Sequence, residues 1–182
     1  MAQKRRKALV EKETVRRLAV FLVKLAVFSL PIYAILLTGY QSALLMHLTT
    51  DISFWFLKAT GMQAELVDGT IVIPVENGSW GAYVSWDSTG WKSALALLSL
   101  IFATDFTLRK KLMGLLLVPV VYAANILRIW FMFFAVSTYG IEAFPVLHLT
   151  VWSWGLVAVV LVLWVVWMKY VDAPHAQRTK GD

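Results

Sequence analysis

The chain has 182 residues, 59% of them hydrophobic and only 15% charged, with a mean hydropathy of +0.69, which excludes an ordinary water-soluble globule and calls for lipid. The net charge of +6 does not point to nucleic acid, because the basic residues sit beside apolar runs, where they set topology and meet anionic lipid. No cysteine is present and the histidines are far apart in sequence, so disulfides, metal sites and cofactors are not expected.

In chain order, the basic residues 1–17 resemble the charged start of a signal peptide, but the apolar run 18–37 lacks a small-residue cleavage pattern and is long enough to span a membrane. It reads as a retained helix. Further spans are expected at 89–108, 112–136 and 149–168, with kinks at Pro31 and Pro119 and with Lys24 snorkelling to the headgroups. Lys and Arg crowd residues 4–17, 109–111 and the tail 169–182, which all fall on one side of a four-span topology. That side is the cytoplasm, and Asp105 is expected to meet the 109–111 cluster. The loop 38–88 is then extracytoplasmic. Within it, 41–60 carries Leu44, Leu45, Leu48, Ile52, Trp55 and Phe56 at helical spacing, which predicts an amphipathic helix in the interface or a partial re-entrant segment. Asp68-Gly69 and Asn77-Gly78 punctuate β-rich runs and predict a small β-hairpin. The expected fold is an all-α polytopic membrane protein with about four transmembrane helices, an interfacial helix and that hairpin, as one domain over residues 1–182.

Three polar stations could carry chemistry. Trp86-Asp87-Ser88-Thr89-Gly90-Trp91 leads into the second span from outside. Its Asp, Ser and Thr are good helix caps; alternatively, Ser88 is a nucleophile at a helix amino terminus, where N–H groups and the positive dipole end favour an oxyanion. A serine there needs a base. In Tyr122-Ala-Ala-Asn125-Ile-Leu-Arg128 the polar side chains recur every third residue and share one helix face. An arginine in an apolar helix needs a reason: snorkelling, an ion pair with Asp87 or Glu142, or an oxyanion-binding pocket organised with Asn125. His148 begins the fourth span, with Trp152 one turn on, as an interfacial histidine or a proton shuttle. Alternating spans bring Ser88, Arg128 and His148 to one leaflet, as acyl transfer requires.

These motifs, Asp87-Ser88-Thr89-Gly90, Asn125-x-x-Arg128-Ile129 and the later His148, resemble the exosortase/archaeosortase family over roughly residues 60–155. The likeness extends to its compact single-core members, including those paired with IPTL-type sorting tails. The resemblance implies a membrane cysteine protease or transpeptidase that cleaves the carboxy-terminal tail (signature motif, membrane helix, basic end) of exported proteins at the outer face of the cytoplasmic membrane. It places Ser88 at the family's cysteine, with Arg128 and His148 completing the catalytic set. Asn125, Tyr122, Trp86, Trp91 and Trp152 are the expected substrate contacts. Serine at the cysteine position implies an impaired form, read as an introduced Cys→Ser replacement in preference to a natural serine. The rival readings are an intramembrane serine protease with a Ser88–His148 dyad and a non-enzymatic receptor or assembly factor for substrate tails.

Overall fold

The structure, a computed structural model, describes residues 2–76, 78–142, 144–145 and 154–172, with side chains from residue 11 onward. Helix α1 (Ala2–Phe28) breaks at Ser29 and continues as α2 (Leu30–Thr38), with Pro31 in the first turn of α2, where its missing N–H costs nothing. The expected bend at Pro31 is thus a helix junction two residues earlier. Helix α3 (Ala43–Ala59) begins at Ser42, whose hydroxyl accepts from the Leu45 N–H at 3.2 Å.

The predicted hairpin is a three-stranded antiparallel meander, β1 (Glu65–Val67), β2 (Thr70–Val75) and β3 (Gly78–Tyr83), in that order across the sheet. Asp68 and Gly69 both take positive φ, 48° and 77°, the geometry of a two-residue turn that matches strand twist. Pro74 is tolerated in the middle strand because β1 pairs only as far as Val72. Val75 and Gly78 close the second hairpin, so Pro74, opposite Ser79, turns its nitrogen away from β3 into space that β1 does not reach. Asn77 lies outside the described residues.

After a 3-10 turn (Trp86–Thr89) come α4 (Trp91–Ala103), α5 (Leu108–Gly114), a second 3-10 turn (Leu115–Leu117), α6 (Val118–Tyr139) and α7 (Leu156–Asp172). Pro119 again occupies a first helical turn, directly after a 3-10 step. Among the described residues, two helical stretches are long and apolar enough to cross a membrane, Glu11–Thr38 and Leu108–Tyr139. The expected second span is shorter than its apolar run: α4 has 13 residues, because Thr104 turns extended (ψ 159°) and ends it. The basic residues 109–111 open α5 instead of lying in a loop. Asp105 pairs with Lys24, correcting the expected pairing with 109–111. The hydrogen bond from the Lys24 ammonium holds the Asp105 carboxyl below its ordinary range, with Lys111 and Arg17 adding weaker attraction.

Two apolar clusters meet on α6. One joins α3, the sheet and α6 through Leu57, Ile71, Ile73, Ile129, Phe133 and Val136. The other joins α4, α6 and α7 through Leu97, Ile101, Val121, Val160, Trp167 and Val171. Asn125 and Arg128 fall between them, both buried. On α3 the expected apolar face is turned outward: Leu44, Leu48, Ile52 and Trp55 are exposed, while Thr49, Thr50 and Ser53 are buried. Thr49 and Thr50 satisfy their hydroxyls on carbonyls one turn back, Leu45 and Met46, so they enter the interior without orphaned donors.

Gly114 marks the closest packing at the far end of α4. A Cβ there would stand 2.9 Å from Ile101 Cδ1 and 3.2 Å from Trp167 Cε2. Gly114→Val should therefore lower the thermal midpoint of the detergent-solubilised protein, with an overpacking cost of about 1–3 kcal/mol. An unchanged midpoint would refute the contact of α4 and α7 at this glycine.

Candidate functional site

Ser88 sits in the 3-10 turn, ahead of the amino end of α4, and does not cap that helix. Its N–H donates to the Ser85 carbonyl at 2.9 Å, and Thr89 Oγ1 donates to the Trp86 carbonyl at 2.9 Å, so the turn closes on itself. The cap of α4 is Gly90 at φ 82°, which supplies no side-chain acceptor, so among the described residues the first N–H groups of α4 behind Ser88 have no side-chain cap. Ser88 Oγ lies 2.9 Å from Ser85 Oγ. Ser85 was missed in the sequence; the Ser-x-x-Ser spacing across one 3-10 turn was the available signal.

Two side chains of α6 converge on this turn. Asn125 Nδ2 donates to the Ser88 carbonyl oxygen at 2.9 Å and Arg128 Nη2 donates to the same oxygen at 3.1 Å. The shared helix face read from the sequence is therefore real for these two residues. Both contacts are buried, where a charge-assisted bond holds a backbone group more tightly than it does in water. Asn125 Oδ1 is left as a buried acceptor without a hydrogen-bond partner among the described residues. Asp87 pairs with Lys92 at 2.8 Å, so it is committed outside the pocket rather than to Arg128.

The turn separates two cavities. On one side, Ser88 and Arg128 line a small cavity of about 70 Å³ with Trp80, Ala82, Val84 and Met132. On the other, Trp86, Thr89, Gly90, Trp91 and Tyr122 help line an apolar cavity of about 620 Å³ reaching α2 and α3. Trp86 and Trp91 stack at 5.2 Å, and Tyr122 Oη lies 3.1 Å from Thr49 Oγ1. Tyr122, Trp86 and Trp91 are thus gathered together, next to the Ser88 turn but facing the larger cavity. His148 and Trp152 lie outside the described residues.

Gly90 does two jobs. Its positive φ excludes most side chains, and a Cβ would stand 2.9 Å from Asn125 Cγ. Gly39 has a similar φ of 65° with nothing within 4 Å. Gly39→Ala should carry only the left-handed strain, about 1–2 kcal/mol, whereas Gly90→Ala should cost distinctly more by displacing Asn125 from the Ser88 carbonyl. Equal losses of thermal stability in the two variants would refute the close approach.

Comparison with known proteins gives one family. A model for the transmembrane exosortase family (Exosortase_EpsH) matches residues 8–168. No curated protein and no solved structure matches the chain. With most of its length under that match, and with apolar helices exposed on its surface, the chain is a membrane protein that belongs to the transmembrane exosortase family.

Proposed function

We propose that this chain is built as a membrane peptidase or transpeptidase that cleaves the carboxy-terminal sorting tail of exported proteins, with residue 88 as its reaction centre. The observation that carries this reading is the convergence of Asn125 and Arg128 on the turn that presents Ser88, in a chain of this family. In the proposed topology the whole chain is one domain, both termini are cytoplasmic, and the site faces the outer side of the cytoplasmic membrane. The charge layout supports this orientation. Lys110 and Lys111 reach the carbonyls of Val171 and Phe102, and Lys24 meets Asp105, all at the opposite end of α4 from Ser88.

The chemistry follows from position. A nucleophile at residue 88 attacks the scissile carbonyl, and the oxyanion that forms lies near the cavity shared by Ser88 and the Arg128 guanidinium. The uncapped N–H end of α4 adds a favourable dipole. His148 takes the proton and returns it to the leaving amine; the acyl-enzyme then passes to an acceptor amine or to water. A thiolate suits this scheme better than a hydroxyl, which is far less acidic. The proposal therefore keeps the present serine as an impaired nucleophile, with Ser85 Oγ as its hydrogen-bond neighbour.

The test compares the chain with Ser88→Cys and Ser88→Ala on a tailed exported substrate, followed by mass spectrometry. Ser88→Cys should cleave, the serine form should be slower by at least about 100-fold, and Ser88→Ala should be inactive. Adding Arg128→Lys to the cysteine form should remove a further factor of about 100. Cleavage by the serine form that Ser88→Cys abolishes would overturn the cysteine reading in favour of a serine protease. Tail binding without cleavage by any form would leave a non-enzymatic receptor.

A further inference from the structure

The two edges of the sheet differ in kind. β1 is three residues long and carries Glu65, a charge of the sort that blunts an edge against further pairing. β3 is Gly-Ser-Trp-Gly-Ala-Tyr, six residues with neither charge nor proline. The register fixes which groups its free edge offers. Gly78, Trp80 and Ala82 face β2 with their backbone groups, as partners of Val75, Ile73 and Ile71. Ser79, Gly81 and Tyr83 therefore turn N–H and C=O outward, and all three are exposed. Among the described residues no backbone group pairs with them.

This edge leads straight to the reaction centre. β3 ends at Tyr83, and the turn bearing Ser88 begins at Trp86. Trp80 and Ala82, on the inner face of the same strand, and Val84, just after it, line the small cavity together with Ser88 and Arg128. A strand laid beside β3 would send every second side chain toward that cavity. Its volume of about 70 Å³ is small beside the neighbouring cavity of about 620 Å³, which favours a short apolar side chain over an aromatic ring.

We infer that the outer edge of β3 is the binding track for the substrate, which adds to the sheet as an extended strand and places one small apolar side chain in the cavity beside Ser88. The occupant is the extended segment of the tail that flanks the scissile bond, so the inference rests on the proposed peptidase reading. Backbone pairing supplies affinity that is tolerant of sequence, and the cavity supplies selection at one position.

The test reads binding separately from cleavage. The chain as it stands, purified in detergent, is mixed with the capped peptide acetyl-Lys-Thr-Val-Thr-Val-Thr-Lys-amide and followed by residue-resolved hydrogen exchange. Exchange at the amides of Ser79, Gly81 and Tyr83 should slow by about tenfold, while those of Trp80 and Ala82, already bonded to β2, should change little. Replacing both valines by tryptophan should remove the protection in the unaltered chain, and Met132→Ala, which widens the cavity, should restore it. Uniform protection along β3, no protection, or protection at the β1 edge would overturn the proposal; so would tryptophan peptides that bind as well as valine peptides. Since no turnover is required, an edge that fails to bind leaves the cleavage result at residue 88 intact. A Ser88→Cys form that fails to cleave likewise leaves the exchange result standing.

Discussion

The Ser88 carbonyl oxygen is the point on which the site depends. One backbone acceptor in a four-residue turn receives both an amide and a guanidinium from a single helix. That pair of hydrogen bonds fixes the turn relative to α6, and everything nearby inherits its position. The hydroxyl of Ser88 is aimed along one side of the turn, and the Trp86–Trp91 stack is carried on the other. Gly90 makes the approach possible, because only a residue without Cβ leaves room for Asn125 at that distance. The burial of an arginine in an apolar helix, costly in isolation, is offset by a bond to a carbonyl that would itself be costly to leave unpaired.

A membrane protein can place polar groups inside and apolar groups outside without contradiction, and α3 does so. Its Leu44, Leu48, Ile52 and Trp55 are exposed while Thr49, Thr50 and Ser53 are buried. In water this would expose apolar area at a cost of roughly 25 cal/mol per Å²; against lipid tails that cost vanishes, and small hydroxyl-bearing residues allow close packing. Packing of Thr49 beside Tyr122 is the result on the α6 side. The same inversion explains why apolar periodicity in 41–60 located the helix correctly but assigned its outward face to an interface without revealing that the polar stripe is the packed one.

Legibility followed the range of the interaction. Asp68-Gly69 announced its turn because the requirement for positive φ is local. The third strand announced itself only through the turn signal at Asn77-Gly78: Gly78–Tyr83 is poor in β-branched residues and holds its place through register against β2. The Asn125 and Arg128 face was visible in the three-residue spacing, since helix geometry alone puts those side chains together. Their common acceptor was not visible, because a backbone carbonyl carries no signature in sequence. Lengths were overestimated where composition outran hydrogen bonding. The span expected over 89–108 extends past Ala103, but the helix stops when Thr104 turns extended and its hydroxyl bonds the Ile101 carbonyl.

That early stop has a mechanical consequence for the proposed reaction. Thirteen helical residues rise about 20 Å, against a hydrocarbon core of about 30 Å, so α4 cannot carry Ser88 from one interface to the other by its own length. In the proposed orientation the Lys24–Asp105 pair and the lysines of α5 would sit at the inner headgroups, and the turn would be drawn below the outer surface. A tail that enters the outer leaflet as a helix must give up helical hydrogen bonds to present an extended, cleavable segment there. In hydrocarbon those freed groups need new partners. A sheet edge with outward N–H and C=O groups, ending five residues before Ser88, is the kind of partner that would offset such unwinding.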